Sequence, residues 1–420
     1  PGQLLLMMGE DLTHYHVWDG MRAIDYLLTR PEVDKERIGC AGHSGGGTMT
    51  MFIGALDERV RCAVVNEGGT GHRWPVHVPV NSNRFGPPDV EQNLFPAALH
   101  GVDLCDVLAS FAPRPLLCLI EDYNPNFDLA AGHIRRRYQQ LGVPERFGTD
   151  EATDPHAWTL KLRLATTAWF SRWFYDRPGP AREPDFEPEK PETLYCTPNG
   201  SLKEARKGQS IWTIVQAKGA TLPPRRSGPP AASEIAEILR YRKCTEPLNV
   251  RHLVDTPRRG YRVEKLEFLS EPGVYVPVWV FVPETPNGRT ITLYFDERGK
   301  EKEGQEFGLY ERLAQKGHTV IAADVRGAGG TAPAHTGRGT GEFAHLFSVD
   351  TALAYMAWYM DESLFGMRVA DVIRTVDYAA SRRSKEVGGD AKYFDFLTES
   401  LETSLRAARK DRVNVFHVTV

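Results

Sequence analysis

The sequence predicts an α/β fold in which a largely parallel sheet is covered by helices on both faces. Three observations carry that expectation. Short apolar runs of strand length alternate with stretches of helical spacing across residues 10–175. The same alternation returns after about residue 250. Between the two lies a stretch rich in proline and charge, unlike either.

The elements follow in order. Residues 10–29 place Leu12, Tyr15, Met21, Ile24 and Leu28 at mostly helical spacing. RIGCAG (37–42) has strand length and GGTMTMFIGAL after it reads as a helix. RCAVVNEGG (61–69) and RPLLCLIED (114–122) are further buried-strand candidates, and 128–141 and 157–175 are helical. DRPGPAREPDFEPEKPE and TLPPRRSGPP mark 176–231 as a semi-rigid linker, with SEIAEILRYRK (233–243) as a short helix. YRVEKLEFLSEPGVYVPVWVFVPE alternates around Pro272–Gly273 and predicts an antiparallel hairpin. TITLYFDERGK is a strand entering a polar loop, LYERLAQKG a helix, HTVIAADVRGAGG a strand with a glycine loop, and 349–382 mostly helix. Residues 383–411 are charged and weakly patterned, and RVNVFHVTV reads as a terminal strand.

One repeat organises the chain. MGEDLTHYHVWDGMRAIDYLLTR (8–30) and MDESLFGMRVADVIRTVDYAASR (360–382) share Met8, Glu10, Leu12, Val17, Asp19, Arg22, Asp25, Tyr26 and Arg30 at a constant offset of 352. Roughly one or two identities are expected by chance at ordinary composition. The expectation is two copies of one fold, each cut short: the C-terminal portion of one unit over 1–176, a linker over 177–244, and the N-terminal portion of a second unit over 245–420.

Composition bounds the function. Hydrophobic residues make up 41% and charged residues 25% of the 420, which suits sizeable cores and excludes general disorder. A net charge of −4 gives no reason to expect a nucleic-acid or anionic-membrane partner. Cysteines 40, 62, 105, 118, 196 and 244 have neither metal-finger nor CxxC spacing. QLLLMM is too short to span a bilayer. The chain starts with Pro1, so the compartment stays open between cytoplasmic and secreted, and oligomeric state is not readable.

The chemistry concentrates in CAGHSGGGTMT (40–50). Gly42-His43-Ser44-Gly45-Gly46 is a G-x-S-x-G between a strand and a helix, the setting of a nucleophile elbow. Gly42 and Gly46 are expected to be small because a Cβ at either would collide. Ser44 is the expected nucleophile and the Gly45 N–H the expected oxyanion donor. The bland reading is a glycine-rich structural turn. A serine needs a base, and in this fold the order is Ser, acid, His. His156 in TDPHAWT comes late enough; His72 and His77 come too early, and His133 lies on a helix. The acid should follow RPLLCLI: Asp122 comes just after it, and Asp128 is the alternative, with a helix cap as its bland reading. His43 is expected to shape the pocket wall. HYH (14–16) and GHRWPVH (71–77) lack companion ligands, so no metal is expected, and DVRGAGGT (324–331) lacks the lysine and spacing of a phosphate loop.

With these residues placed, the chain resembles the acetyl-xylan-esterase-like α/β-hydrolases, including long members with two tandem units. The resemblance rests on WDGMRAIDYLLTRPEVDKERIGCAGHSGGG, NEGGTGHRWP, ASFAPRPLL and DPHAWTLKLRLATTAWFSRWF, then EPGVYVPVWVFVPE, DERGK and ADVRGAGGTAP. It implies a three-layer α/β-hydrolase sandwich and a serine carboxylic-ester hydrolase for acetylated carbohydrate or similar small esters, without metal or cofactor. Ser44 and His156 match the family's nucleophile and base. EDYNPNFD departs from the family's aspartate followed by two aromatics, so Asp122 and Asp128 both stay open. The second oxyanion donor normally comes from a loop after an early strand; DERGK (296–300) is the loop of that type, which makes Gly299, or Lys300 beside it, the candidate. The alternatives are a non-catalytic hydrolase-like scaffold and a prolyl-oligopeptidase-type peptidase, although no blade-length repeats accompany the latter.

Overall fold

The computed structural model describes residues 2–68, 97–121, 125–153, 156–180, 182–206, 208–224, 226–287, 291–332 and 349–387. The chain divides into two compact units, Pro1–Ser227 with Trp358–Asp361, and Gly228–Ala357 with Glu362–Val420. The stretch expected as a terminal strand, RVNVFHVTV, lies outside the described residues.

The first unit opens with helices α1 (Gly2–Met7) and α2 (Leu12–Leu27). The Asp11 carboxylate caps α2 by accepting the Thr13 N–H at 2.8 Å. Then follow β1 (Gly39–His43), α3 (Gly45–Leu56), β2 (Cys62–Asn66), α4 (Leu104–Ala109), β3 (Leu116–Ile120), α5 (Pro125–Gln140), β4 (Phe147–Glu151) and α6 (Leu160–Tyr175). The four strands form one parallel sheet in the order β1-β2-β3-β4.

Alternation along the central strands sends side chains to two cores. Ala63, Val65, Leu116, Cys118 and Ile120 join Val17 and Ile24 of α2, Met51 and Phe52 of α3, and Ile134 of α5. Val64, Leu117 and Leu119 turn the other way and join Leu162, Trp169 and Phe170 of α6. A sheet with helices on both faces is the three-layer α/β-hydrolase fold that the sequence predicts. Strand β4 was not anticipated, because FGTDE buries only Phe147 fully and turns polar and exposed toward its end, as an edge strand does.

The proline-rich stretch is more helical than expected. Besides α10 (Ala232–Ile238), it holds α7 (Pro191–Leu194), α8 (Leu202–Arg206) and α9 (Ile211–Thr221). Ser210 and Thr213 form a capping box at the start of α9.

The second unit carries β5 (Arg251–Arg258), β6 (Tyr261–Glu271), β7 (Val274–Pro283), β8 (Ile291–Tyr294), α11 (Leu309–Gln315) and β9 (Thr319–Ala323). Helices α12 (Val349–Tyr359) and α13 (Leu364–Val387) follow in the chain. Its sheet runs β5-β6-β7-β9-β8, antiparallel except for the β8–β9 pair. The expected hairpin is β6–β7, turning at Pro272–Gly273 with Gly273 at φ 81°. One face packs Phe268, Val278, Val280 and Leu293 with Tyr378 and Ala379 of α13; the other packs Phe281, Tyr294 and Val320 with Tyr310 and Ala314 of α11.

DVRGAGGT is a structural turn folded around a buried carboxylate. Asp324 is fully buried and accepts the Lys300 N–H at 2.6 Å, the Lys300 ammonium at 2.5 Å and the Gly330 N–H at 2.7 Å. A Cβ at Gly329 would stand 2.6 Å from that carboxylate, so the glycines make room for it.

Both copies of the repeat are helical, and they begin at matching positions, Leu12 and Leu364. Their settings differ. In α13, Asp371 is fully buried and accepts from the Ser270 hydroxyl at 2.5 Å and the Arg326 guanidinium at 2.7 Å. Its counterpart Asp19 in α2 is exposed.

Candidate active site

Strand β1 ends at His43 and α3 begins at Gly45, so Ser44 is the single residue that turns the chain from one to the other. Its φ of 55° and ψ of −119° are a strained conformation for a residue with a Cβ. The Ser44 N–H donates to the Asn66 carbonyl at the end of β2, at 2.8 Å, and ties the turn to the sheet. Serine in the N-cap position normally spends its hydroxyl on its helix. Ser44 makes no such cap bond. As the first residue of α3, Gly45 has an N–H with no intrahelical acceptor, at the positive end of the helix dipole.

The glycines divide differently from the sequence expectation. A Cβ at Gly42 would lie 2.1 Å from the Gly46 carbonyl oxygen, a collision as expected. A Cβ at Gly46 meets nothing within 4 Å, which corrects the expectation for that position. The crowded positions are instead Gly47, 2.4 Å from the Asn66 carbonyl oxygen, and Gly68, 2.1 Å from the Thr48 nitrogen. The reason is topological: α3 leaves the turn packed on the end of β2, so the residue one turn-step later meets the backbone.

His156 follows β4 and precedes α6, with its side chain 60% exposed. Its Nδ1 lies 2.8 Å from Oε2 of Glu121. Glu121 is the first residue past β3 and is 2% exposed. The other carboxylate oxygen, Oε1, is bonded to Nε2 of His43. The Glu121 N–H in turn donates to the Glu67 carboxylate at 2.8 Å, and Glu67, just past β2, adopts φ 51°. The two imidazole rings are 4.6 Å apart between centroids, and Trp158 lies 6.5 Å from His43. With the carboxylate ionised, both bonded ring nitrogens are donors. That leaves the His156 Nε2 lone pair free to accept a proton.

Three chain segments therefore meet at one buried carboxylate, and the residue bonded to His156 is not one that the sequence singled out. Asp122 lies outside the described residues. Asp128 is an exposed residue in the first turn of α5, while Glu121 holds the His156 Nδ1. Glu121 directly follows Ile120, where β3 stops, so it is the first carboxylate beyond the strand, one residue before the expected Asp122. His43, expected as a pocket wall, turns its ring to that same carboxylate. His133 pairs with Asp106 at 2.8 Å on α5, apart from this cluster. His72 and His77 lie outside the described residues. Gly299 belongs to the second unit at φ 92°, and its N–H donates to the Asp296 carbonyl at 3.0 Å.

Two clusters among the described residues gather metal-binding donors within 4.8 Å: His43, Glu121 and His156, and Cys105, Asp106 and His133. In the second, burial, with the nearby Asp103 and Asp106 charges, pushes the Cys105 thiol up to about 12.

A comparison with protein-family models agrees with the fold of the first unit. Residues 1–158 match the model described as Abhydrolase family. The chain is 22% identical over 174 residues to YtaP of Bacillus subtilis (strain 168), whose name assigns it provisionally as a hydrolase; the match covers 40% of this chain and 56% of YtaP. Among solved structures, a carbohydrate esterase family 15 glucuronoyl esterase from Caldicellulosiruptor kristjansonii is 19% identical, with 38% of this chain and 50% of that chain covered and a TM-score of 0.33. A glucuronoyl esterase from Sporotrichum thermophile is 17% identical, with 41% and 54% covered and a TM-score of 0.34. The chain thus spans about half the length of the proteins it matches.

Proposed function

From an α/β-hydrolase fold in the first unit, matched to the Abhydrolase family over residues 1–158, we propose that this chain is a serine carboxylic-ester hydrolase working through an acyl-enzyme. The observation that carries the reading is the pairing of His156 with a buried carboxylate that also bonds His43, the residue before a serine held at positive φ between strand and helix.

In this scheme Ser44, His156 and Glu121 act together. Glu121 holds the proton on Nδ1 and orients the ring. The His156 Nε2 takes the proton from the Ser44 hydroxyl as its oxygen attacks the ester carbonyl carbon. The carbonyl oxygen gathers charge beside the Gly45 N–H at the start of α3. The imidazolium formed on His156 is stabilised by Glu121 and protonates the departing alcohol. Water then adds to the acyl-enzyme, its proton passes to Nε2, and the acid leaves as Ser44 regains its proton. Gly45 is the one oxyanion donor in this scheme; each such donor is worth about 10²–10³ in rate. Small acyl esters of carbohydrate are the substrate class that the sequence resemblance favours.

Ser44→Ala tests the reading. Hydrolysis of p-nitrophenyl acetate should fall by a factor on the order of 10⁴ or more, with the thermal unfolding midpoint kept. Turnover at the parent rate in the folded variant would remove Ser44 from the mechanism.

A further inference from the structure

We propose that His43, Glu121 and His156 form a binding site for a zinc-type divalent cation, and that the bound ion switches the hydrolase off. The switch rests on the reading of His156 as the base; the binding site does not.

Two imidazole nitrogens and a carboxylate oxygen are a donor set that zinc favours, with bonds of roughly 2.0–2.2 Å. Around one tetrahedral ion such donors stand about 3.3 Å from one another. Here all the donor atoms lie within 4.8 Å of one another, and the His156–Glu121 pair is at 2.8 Å. Small ring movements therefore admit the ion. The carboxylate is buried and its backbone is held by Glu67, whereas His156 is open to solvent. The buried charge thus sits innermost and the exposed ligand outermost, with a coordination position left for water. Magnesium and calcium prefer all-oxygen sites, so this set discriminates against them.

The consequence follows from the tautomers. The ion needs the lone pair of Nδ1 on His156 and of Nε2 on His43, the atoms that now carry protons toward Glu121. Each neutral ring keeps one proton, which moves to its other nitrogen. On His156 that nitrogen is Nε2. A ring with the ion on Nδ1 and hydrogen on Nε2 has no lone pair for the Ser44 proton. The ion blocks the base without touching the serine, and a chelator reverses the block.

The test is a calorimetric titration of the full chain with Zn²⁺, repeated for His43→Ala, His43→Gln and His133→Ala. Circular dichroism checks folding, and a Mg²⁺ titration serves as the control. Wild type should bind one ion at this site, His43→Ala and His43→Gln should both lose more than about tenfold in affinity, and His133→Ala should keep it. Labelling of Ser44 by a fluorophosphonate should stop at saturating Zn²⁺ and return with EDTA. Absence of binding, or unchanged binding in both folded His43 variants, overturns the site. Undiminished labelling at full occupancy overturns the switch. A protein that binds Zn²⁺ in this pattern but never labels at Ser44 keeps the site and loses the hydrolase reading, so the two failures are distinct.

Discussion

His156 and Glu121, 35 positions apart in the chain, meet with Nδ1 and Oε2 at 2.8 Å, and the carboxylate that makes this contact is almost wholly buried. A buried carboxylate is costly unless its oxygens are bonded. Glu121 has both oxygens engaged, one by each imidazole, and its backbone N–H fixed by Glu67. That arrangement sets which nitrogen of His156 carries the proton.

The acid assignment predicts a clear split among variants. Glu121→Gln should lower kcat for p-nitrophenyl acetate by about 10³–10⁴ with KM little changed, since the charge opposite the imidazolium is lost while the shape is kept. Asp122→Asn and Asp128→Asn should stay close to wild type. Steady-state kinetics on the three variants decides, and an Asp122→Asn loss equal to that expected for Glu121→Gln would move the acid by one residue.

The elbow predicts unequal glycines. Gly42→Ala and Gly47→Ala push a Cβ into backbone at 2.1 and 2.4 Å, which flexible side chains cannot relieve. Each should destabilise the first unit by about 1–3 kcal/mol or more and lower activity. Gly46→Ala meets open space in the first turn of α3 and should be neutral or stabilising by up to about 1 kcal/mol. Urea denaturation with activity measured on the same samples checks both expectations.

A pH dependence is expected from the loop after β8. The Arg298 guanidinium bonds the Asp296 carboxylate at 2.6 Å and, outweighing the partial burial that opposes it, holds that carboxyl down to about 2 from an ordinary 3.8. A folded-state pKa below the unfolded one means that the unfolded chain binds the proton more readily. The contribution to stability is therefore present above pH 3.8 and fades as pH falls through about 2. Arg298→Met should flatten the fall in the unfolding midpoint of the second unit between these values and leave the slope above pH 5 unchanged. An identical slope in the acid range would contradict the pairing.

Much of this arrangement was legible in the sequence because burial writes itself into strands. CAVVN and LLCLI are buried along their whole length and read as strands at once, and the β6–β7 hairpin announced its turn through Pro272–Gly273. The edge strands β4 and β5 were not legible, since FGTDE turns polar and exposed toward its end, RHLVDTPR is exposed almost throughout, and neither carries an apolar run. Ser44 and His156 could be placed because the elbow and the late loop have local signatures. Glu121 could not be told from the neighbouring aspartate, because the contact that singles it out is with His156, 35 positions away, and such a contact leaves no local mark. The part played by His43 depends on a contact 78 positions away, which no local spacing encodes.

The most direct test of the central claim is covalent labelling. Wild-type chain treated with a fluorophosphonate at neutral pH should gain one phosphonyl adduct, and peptide mass spectrometry should place it on Ser44. His156→Ala should label far more slowly, because the serine loses its base. No adduct on Ser44, or an adduct formed equally fast without His156, would contradict the account.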